Sequence, residues 1–223
     1  EERSVASTYH FPLRRTLTSP RVWALAVVYF GVAYGLYALA FFLPTIVAGF
    51  KTTFALQLSL IEVGLITAIP YVFGAISMFI CSRHADRTGE HVWHVAIPLF
   101  AGGLAIPVAL YLHHPIAVMA LVVIAAMGIF AALPVFWALP SRFLTGAAAA
   151  GGIGLINSVG NLGGFAAPYA TGALEDLTGT NNAGMWAVGI VMVLGGALVV
   201  WLRATPDPEV AATPSPARDA GSG

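Results

Sequence analysis

Apolar and polar positions divide the chain into six long apolar stretches separated by short polar segments. The stretches cover approximately residues 22–48, 58–82, 93–112, 115–139, 147–172 and 183–202. The charged residues between Val22 and Trp201 lie between these stretches or near their ends: Lys51, Glu62, Arg83, Asp86, Arg87, Glu90, Arg142, Glu175 and Asp176. Each stretch runs roughly 20–27 residues, and a helix of that length crosses about 30 Å of hydrocarbon. The pattern predicts an all-α membrane protein whose six transmembrane helices form one bundle.

Composition also favours the bilayer as the solvent of this chain. Of its 223 residues, 58% are hydrophobic and only 9% are charged, against roughly 25% charged in an average soluble domain. The mean hydropathy is +0.84. The formal net charge is zero, which gives no basic surplus for binding nucleic acid. A single cysteine, Cys81, excludes an internal disulfide.

The polar ends of the chain predict two flanking segments. Residues 1–21 are predicted to be a cytoplasmic interbundle loop, since Thr18, Ser19 and Pro20 suit the start of a helix near Pro20. Residues 203–223, rich in Pro, Ala, Asp and Ser, are predicted to be a disordered cytoplasmic tail. The chain begins on a polar stretch without Met, which favours a piece of a longer polypeptide. Six-helix halves are the repeat unit of one large transporter class.

Basic residues predict the orientation, because cytoplasmic loops retain Lys and Arg. With both termini in the cytoplasm, the outer loops carry Lys51 as their one basic residue, together with His113, His114, Glu175 and Asp176. The inner segments then carry all nine arginines: Arg3, Arg14, Arg15, Arg21, Arg83, Arg87, Arg142, Arg203 and Arg218. We therefore expect a multi-pass protein of the inner membrane with both termini cytoplasmic.

Glycines predict where the helices pack closely. Gly31 and Gly35 in the first stretch, and Gly160 and Gly164 in the fifth, have the GxxxG spacing that promotes helix association in lipid. We interpret these four glycines as helix-packing positions.

Two asparagines in the fifth stretch are candidate substrate-binding residues. A primary amide in hydrocarbon needs hydrogen-bond partners or a water-filled cavity. Asn157 and Asn161 are four residues apart, which puts both on one helix face. Asn157 lies roughly 18 Å along the helix from the turn near Thr145, close to the depth at which transporters place substrate sites. The alternative is that these amides only bridge neighbouring helices.

Three aromatic residues are further candidates for substrate binding. Trp137 lies between Pro134 and Pro140, which can bend a helix and point the indole into a cavity. The alternative for Trp137 is a place in the interfacial aromatic belt. Tyr34 and Tyr37 are open to the same choice between substrate contact and helix packing.

The segment SRHADRTGEH is predicted to be a short cytoplasmic turn that contains Asp86, Arg87 and Gly89. It is either a charge latch that holds one conformation of a moving bundle or a solvated loop. The histidines between residues 84 and 94 lack a cysteine or carboxylate that would complete a metal site, so no metal is predicted.

Several catalytic and channel motifs are absent from the sequence. It contains no GxSxG nucleophile elbow, no HExxH zinc site, no TVGYG filter and no Walker loop. Neither an enzyme activity nor a cofactor is therefore expected. Glu62, the one acid inside an apolar stretch, lies near an outer helix end, so no intramembrane proton relay is visible.

Several segments resemble the C-terminal half of a major facilitator superfamily transporter, specifically one of the anion:cation symporter family. The likeness extends over residues 19–202. It is carried by Ser19 to Trp23, Tyr29 to Thr45, Val63 to Pro70, Asp86 to Glu90, Phe136 to Pro140 and Phe143 to Pro168. The sequence departs from the superfamily loop pattern at Ser82, where Gly is usual, and at Glu90 and His91, where basic residues are usual.

The resemblance implies twelve helices in two bundles, alternating access and proton symport of an organic carboxylate, such as a tartrate-like sugar acid or an aromatic acid. It also implies that Trp137 and Asn157 line the cavity. The partner would be an N-terminal six-helix half, which in this family carries the membrane arginine and the proton-exchanging acid. The alternative is a complete six-helix membrane protein, either a homodimeric carrier or a non-catalytic scaffold.

Overall fold

The computed structural model describes residues 13–144 and 146–204, which form helices and contain no strand. The helices are α1 (Leu13–Thr18), α2 (Pro20–Thr53), α3 (Leu60–Thr88), α4 (Val92–Ala109), α5 (Pro115–Ser141), α6 (Gly146–Thr178) and α7 (Asn182–Ala204). Residues 1–12 of the predicted loop and 205–223 of the predicted tail lie outside the described residues. In the described part of that loop, Leu13–Thr18 form the short helix α1.

Helices α2 to α7 correspond to the six predicted stretches, with different ends. Helix α2 continues through Pro44 and Gly49 to Thr53 rather than ending near residue 48. It ends where the Phe54 amide bonds to the Phe50 carbonyl at 3.0 Å and the following residue, Ala55, adopts a positive φ of 53°. The end predicted near residue 48 was therefore wrong, because the residue with a positive φ that follows the helix is Ala55.

Five helices, α2, α3, α4, α5 and α7, are long and apolar enough to cross a membrane. Helix α6 has the length, at 33 residues, but glycine and two asparagines lower its hydropathy. The all-helical fold is thus confirmed for the described residues, and five of the six predicted spans are helices with the length and composition to cross a membrane. The sixth span, α6, stays a prediction.

The start of α3 accounts for the acid that lies inside an apolar stretch. The Ser59 amide donates to Glu62 Oε2 at 2.7 Å, and the Glu62 amide donates to Ser59 Oγ at 3.3 Å. This is a capping box, which satisfies amides that have no partner within the helix. Glu62 is exposed and serves to begin the helix.

Helix α2 packs against α6 and α7, α5 packs against α3 and α4, and α4 packs against α7. Gly31 and Gly35 lie at the contact between α2 and α7. A Cβ added to Gly31 would lie 3.1 Å from the Val191 carbonyl oxygen and 3.5 Å from Gly195 Cα. One added to Gly35 would lie 2.7 Å from Met192 Sδ. These glycines let the two helices approach to backbone distance.

The outside of the bundle is apolar, most clearly along α3. Leu60, Ile61, Leu65 and Phe79 on this helix are all at least 65% exposed. An apolar exterior of this extent is typical of a surface that meets lipid or another apolar partner.

Candidate functional site

The two predicted asparagines lie one turn apart on α6, and both side chains are exposed. The Asn161 Nδ2 group donates to the Asn157 carbonyl oxygen and to Asn157 Oδ1, both at 2.8 Å. Because Oδ1 of Asn157 accepts this bond, its Nδ2 group keeps two N–H donors for other partners. The pair therefore leaves a hydrogen-bond donor on the exposed face of α6.

Tyr29 on α2 lies between Trp137 on α5 and the segment of α6 that carries the asparagine pair. Its ring stacks on Phe136, with centroids 5.2 Å apart and planes at 19°, and lies 4.7 Å from the Trp137 ring at 60°. Only 9% of Tyr29 is exposed, so its ring is a buried contact between α2, Trp137 on α5 and the backbone of Gly160 on α6.

The predicted glycine pair of α6 faces the aromatic rings of α2. A Cβ on Gly160 would overlap the Tyr29 ring and would lie 2.8 Å from its Cγ. A Cβ on Gly164 would lie 2.7 Å from Tyr37 Cε2. Gly160 and Gly164 therefore allow aromatic rings of α2 to pack directly on the backbone of α6. Gly31, in contrast, packs against the backbone of α7 at Val191 and Gly195.

The two tyrosines predicted on α2 have different environments. Tyr37 is exposed and lies over Gly164, on the side of α2 that faces α6. Tyr34 is 3% exposed, with its backbone against Gly163 and its ring 5.8 Å from that of Phe30. The structure joins Asn157 to Asn161 directly and places Trp137 against the Tyr29 ring, which lies on Gly160 between the two asparagines, with Tyr37 further along the same helix contact. It leaves Tyr34 in the packed interior.

Exposed aromatic rings lie further along the two helices that carry the site. Phe165 and Tyr169 on α6 are both exposed and stack with centroids 5.5 Å apart and planes at 16°. Phe41 on α2 is also exposed. The asparagine pair is thus a small polar area at one end of an aromatic surface.

A cavity of about 330 Å³ lies elsewhere in the bundle, between α2, α4, α5 and α7. Its lining is almost wholly apolar and includes Phe42, Ile46, Ile106, Val122 and Met185. None of the predicted site residues lines it. The candidate face on α6 is therefore separate from this internal space.

The turn between α3 and α4 is tied to the end of α5. Gly89 ends α3 with a positive φ of 69°, and its carbonyl oxygen accepts a hydrogen bond from Arg142 Nη2 at 2.7 Å. The same Nη2 lies 2.7 Å from His91 Nδ1, while His91 Nε2 lies 3.7 Å from Asp86 Oδ1. Asp86 and Arg87 are both exposed.

The same turn is tied to the end of α7. Glu90 Oε2 lies 3.2 Å from Arg203 Nη2. Glu90 Oε1 also accepts hydrogen bonds from the amides of Val92 and Trp93, at 3.0 and 3.4 Å, which caps the start of α4. Glu90 and His91, two of the three departures from the superfamily pattern, thus make contacts that hold the turn to this bundle.

Two histidines beside this turn contact each other: His84 Nδ1 lies 2.6 Å from His94 Nε2. Among the described residues, no group of three or more histidine, cysteine or carboxylate side chains is placed to hold a metal ion.

Sequence reasoning missed Tyr29 and the partners of the turn. Tyr29 is one of several aromatic residues on α2, and its role depends on Phe136 and Gly160, which lie far away in the chain. A signal for the turn was present, because Arg142 and Arg203 were each predicted at the same membrane side as residues 82–91.

Residues 25–221 match the family model described as Major Facilitator Superfamily. The chain is 38% identical over 195 residues to the Quinolone resistance transporter of Acinetobacter baumannii, a match that covers 87% of this chain and 44% of that protein. It is 42% identical over 193 residues to a Putative tartrate transporter of Agrobacterium vitis, covering 85% of this chain and 41% of that protein.

A third relative is the Inner membrane transport protein RhmT of Escherichia coli (strain K12). It is 37% identical over 194 residues, which is 86% of this chain and 43% of RhmT. The chain thus spans less than half the length of the curated relatives it matches.

Proposed function

Since the chain belongs to the major facilitator superfamily of membrane transporters, we propose that it forms the C-terminal half of a secondary active transporter of the inner membrane. The proposed cargo is an organic carboxylate, moved by proton symport with alternating access in the manner of an anion:cation symporter. The family is one of transporters and not of enzymes.

The share of each relative that this chain matches supports the proposal that the chain is one half of a transporter. The matches take in 85–87% of this chain but only 41–44% of each relative named above. The remainder of such a protein has room for a second bundle of similar size. We propose that this N-terminal half packs over the exposed face of α6 and supplies the charged groups that the anion and proton need.

Helix α6 is the proposed sixth span of the bundle. At 1.5 Å per residue its 33 residues extend about 50 Å, more than enough to cross the bilayer. Its glycines meet rings of α2 and its asparagines lie on the exposed face. Low hydropathy is thus what we expect of a helix with one side against a neighbour and another on a polar cavity.

Contacts at the α3–α4 turn support the proposed orientation. They bring the turn together with the ends of α5 and α7, through Arg142 and Arg203. The arginines at this end of the bundle include Arg21, Arg83, Arg87, Arg142 and Arg203. We assign this end to the cytoplasm, because cytoplasmic loops retain basic residues, and the proposal puts both termini there. The segment around Asp86, Arg87 and Gly89 is proposed to act as a conformational loop.

The observation that carries the proposed substrate class is the orientation of the Asn157 amide. Its oxygen accepts from Asn161 at 2.8 Å, which leaves its N–H groups as donors at the exposed face. Donors of this kind suit a carboxylate, which only accepts hydrogen bonds. Trp137 and Tyr37 are proposed to complete the site in this half, with Tyr34 behind it. Tartrate, named in one relative, is a dicarboxylate and is our first test substrate.

Uptake by a purified protein tests this proposal. The twelve-helix transporter that contains this chain is reconstituted in liposomes with an acidic outside, and uptake is measured over a panel of carboxylates that includes tartrate. We expect Asn157→Ala to raise the KM about 10- to 100-fold, the value of one hydrogen bond to a charged group. The melting temperature in detergent should change little, because a polar contact between membrane helices contributes only about 0.6 kcal/mol on average.

Asn182→Ala is the matched control, since Asn182 is an exposed asparagine at the start of α7, outside the site. An unchanged KM in Asn157→Ala, or no proton-driven uptake of any carboxylate by the wild-type protein, would overturn the proposal. Residues 1–223 alone should insert in the membrane and show no uptake. Uptake by this chain alone would favour the alternative, a six-helix homodimeric carrier.

A further inference from the structure

We propose that His91 is a proton-binding site that controls the contact between the α3–α4 turn and the end of α5. Without a proton on Nδ1, His91 holds Arg142 on the turn; with a proton on Nδ1, it displaces Arg142. The inference rests on the proposed function in one respect, which is that this turn is the conformational loop at the cytoplasmic end. The contacts that carry it do not depend on the substrate.

The contact between Arg142 and His91 determines which nitrogen of the histidine ring carries a proton. Arg142 Nη2 lies 2.7 Å from His91 Nδ1. A guanidinium has N–H donors and no acceptor, and a histidine nitrogen accepts a hydrogen bond only when it carries no proton. His91 Nδ1 is therefore unprotonated, and the proton of the neutral ring lies on Nε2, the nitrogen that is 3.7 Å from Asp86 Oδ1.

The Gly89 carbonyl oxygen lies beside both groups and can accept from either. It accepts from Arg142 Nη2 at 2.7 Å and lies 3.1 Å from His91 Nδ1. A proton taken from water onto Nδ1 makes the ring a donor to this oxygen and gives it a positive charge, which repels the guanidinium. Protonation thus exchanges a hydrogen bond between α5 and the turn for one within the turn.

The surroundings of His91 allow this exchange. His91 is a buried polar residue, 8% exposed, whereas the side chain of Asp86 beside it is 77% exposed. Asp86 becomes the ion-pair partner of the ring once the ring is charged. Further charged and titratable side chains at this end contact other groups or are exposed: Glu90 with Arg203, His84 with His94, Arg21 over the Phe143 ring, and the exposed Arg83 and Arg87.

Release of Arg142 leaves the turn with fewer contacts to the bundle. Glu90 still reaches Arg203 on α7 at 3.2 Å, but the contact with α5 is lost. Proton symport into the cell acidifies the cytoplasm, so protonation of His91 links the position of the turn to a product of transport. We expect this protonation to slow uptake, because α3 and α5 no longer move as one unit at this end.

Amide hydrogen exchange in the turn tests the contact directly. The twelve-helix transporter is compared at about pH 8 and about pH 5.5, the range in which histidine ordinarily changes charge, and each rate is divided by the intrinsic rate at that pH. We expect the protection of amides in residues 84–92 to fall about tenfold at the lower pH in the wild-type protein, the value of one hydrogen bond from a charged group.

His91→Asn separates protonation from the loss of a hydrogen-bond acceptor. Asparagine Oδ1, like histidine Nδ1, is bonded to Cγ and can accept from Arg142, but it takes up no proton in this range. Asparagine also suits the position before a helix, which His91 occupies at the start of α4. We expect His91→Asn to keep the protection of the wild-type protein at both pH values.

His84→Asn is the matched control, since His84 is an exposed histidine on α3 that contacts His94 and not Arg142. It should keep the fall in protection. The inference is overturned if the wild-type protein shows no fall or if His91→Asn shows the same fall.

Uptake of tartrate into liposomes measures the regulatory effect. With the pH difference held constant, lowering the interior between the same two pH values should slow the wild-type protein about threefold more than His91→Asn. An equal response of both proteins would show that His91 does not control transport. Absence of uptake by the wild-type protein would instead contradict the proposed function, and the exchange measurement would still decide whether His91 displaces Arg142.

Discussion

Replacing Gly160 by alanine adds one methyl group where α6 meets the Tyr29 ring. The new Cβ would lie 2.8 Å from Tyr29 Cγ and 3.0 Å from Tyr29 Cβ, whereas carbon atoms at optimal separation are about 3.5–4.0 Å apart. The ring has little room to retreat, because Phe136 stacks on it and Trp137 lies against it. Relief of the overlap must therefore separate α6 from α2 or tilt the ring.

The expected cost follows from two opposing contributions. Overpacking of a well-packed interior costs about 1–3 kcal/mol. Replacing glycine by alanine inside a helix contributes about 0.5–1 kcal/mol in the other direction. Gly172→Ala isolates the second contribution, since Gly172 lies on the same helix and has nothing within 4 Å of its Cβ position. The difference between the effects of the two variants on stability is therefore the contribution of overpacking alone.

Melting temperatures of the detergent-purified transporter give the comparison, and uptake of tartrate gives the functional effect. We expect Gly172→Ala to melt at or above the wild-type temperature, and Gly160→Ala to melt below Gly172→Ala. The KM of Gly160→Ala should rise, because a displaced Tyr29 ring shifts Trp137 and the turn of α6 that carries both asparagines. Equal melting temperatures for the two variants would refute the close contact at Gly160, whatever the uptake shows.

Three further predictions concern orientation, the turn and coupling. In a Cys81→Ser background, single cysteines at positions 87 and 142 should be labelled only from the cytoplasm and one at 181 only from outside; cytoplasmic labelling of 181 would contradict the six-helix topology. Arg142→Gln should speed amide hydrogen exchange in the α3–α4 turn, because it removes the donor to the Gly89 carbonyl, whereas Arg87→Gln should not. Asn157→Ala should leave the proton-to-anion ratio, measured from reversal potentials, unchanged; a changed ratio would show that this face takes part in proton coupling.

The length of the apolar stretches without charged residues was the strongest signal in the sequence, and it located all six long helices. Their ends depend on individual turns, so α2 runs past Gly49 to Thr53, and Leu13–Thr18 form a helix inside a predicted loop. The hydropathy signal was weakest for α6, because this helix contains many glycines, two of which pack against rings of α2, and two asparagines on its exposed face. The asparagines stood out in the sequence for the same reason.

Contacts between helices could not be predicted from these patterns. Tyr29 and Tyr34 look alike in the sequence, since each is an aromatic residue on the same apolar helix. Their different environments depend on which part of α5 and α6 lies opposite, with Phe136 and Gly160 at Tyr29 and the backbone of Gly163 at Tyr34. Likewise, the partner of Glu90 is Arg203, more than a hundred residues away.

The proposed division between the two halves follows from the charges on this one. The described charged side chains lie toward the helix ends, and the amides and rings around Asn157 are neutral. A neutral face can orient an anion by directional hydrogen bonds, but it cannot balance the anion's charge or exchange a proton. On the proposed function, both tasks therefore belong to charged groups of the N-terminal half, and the proposed role of this half is to set the geometry that distinguishes one carboxylate from another.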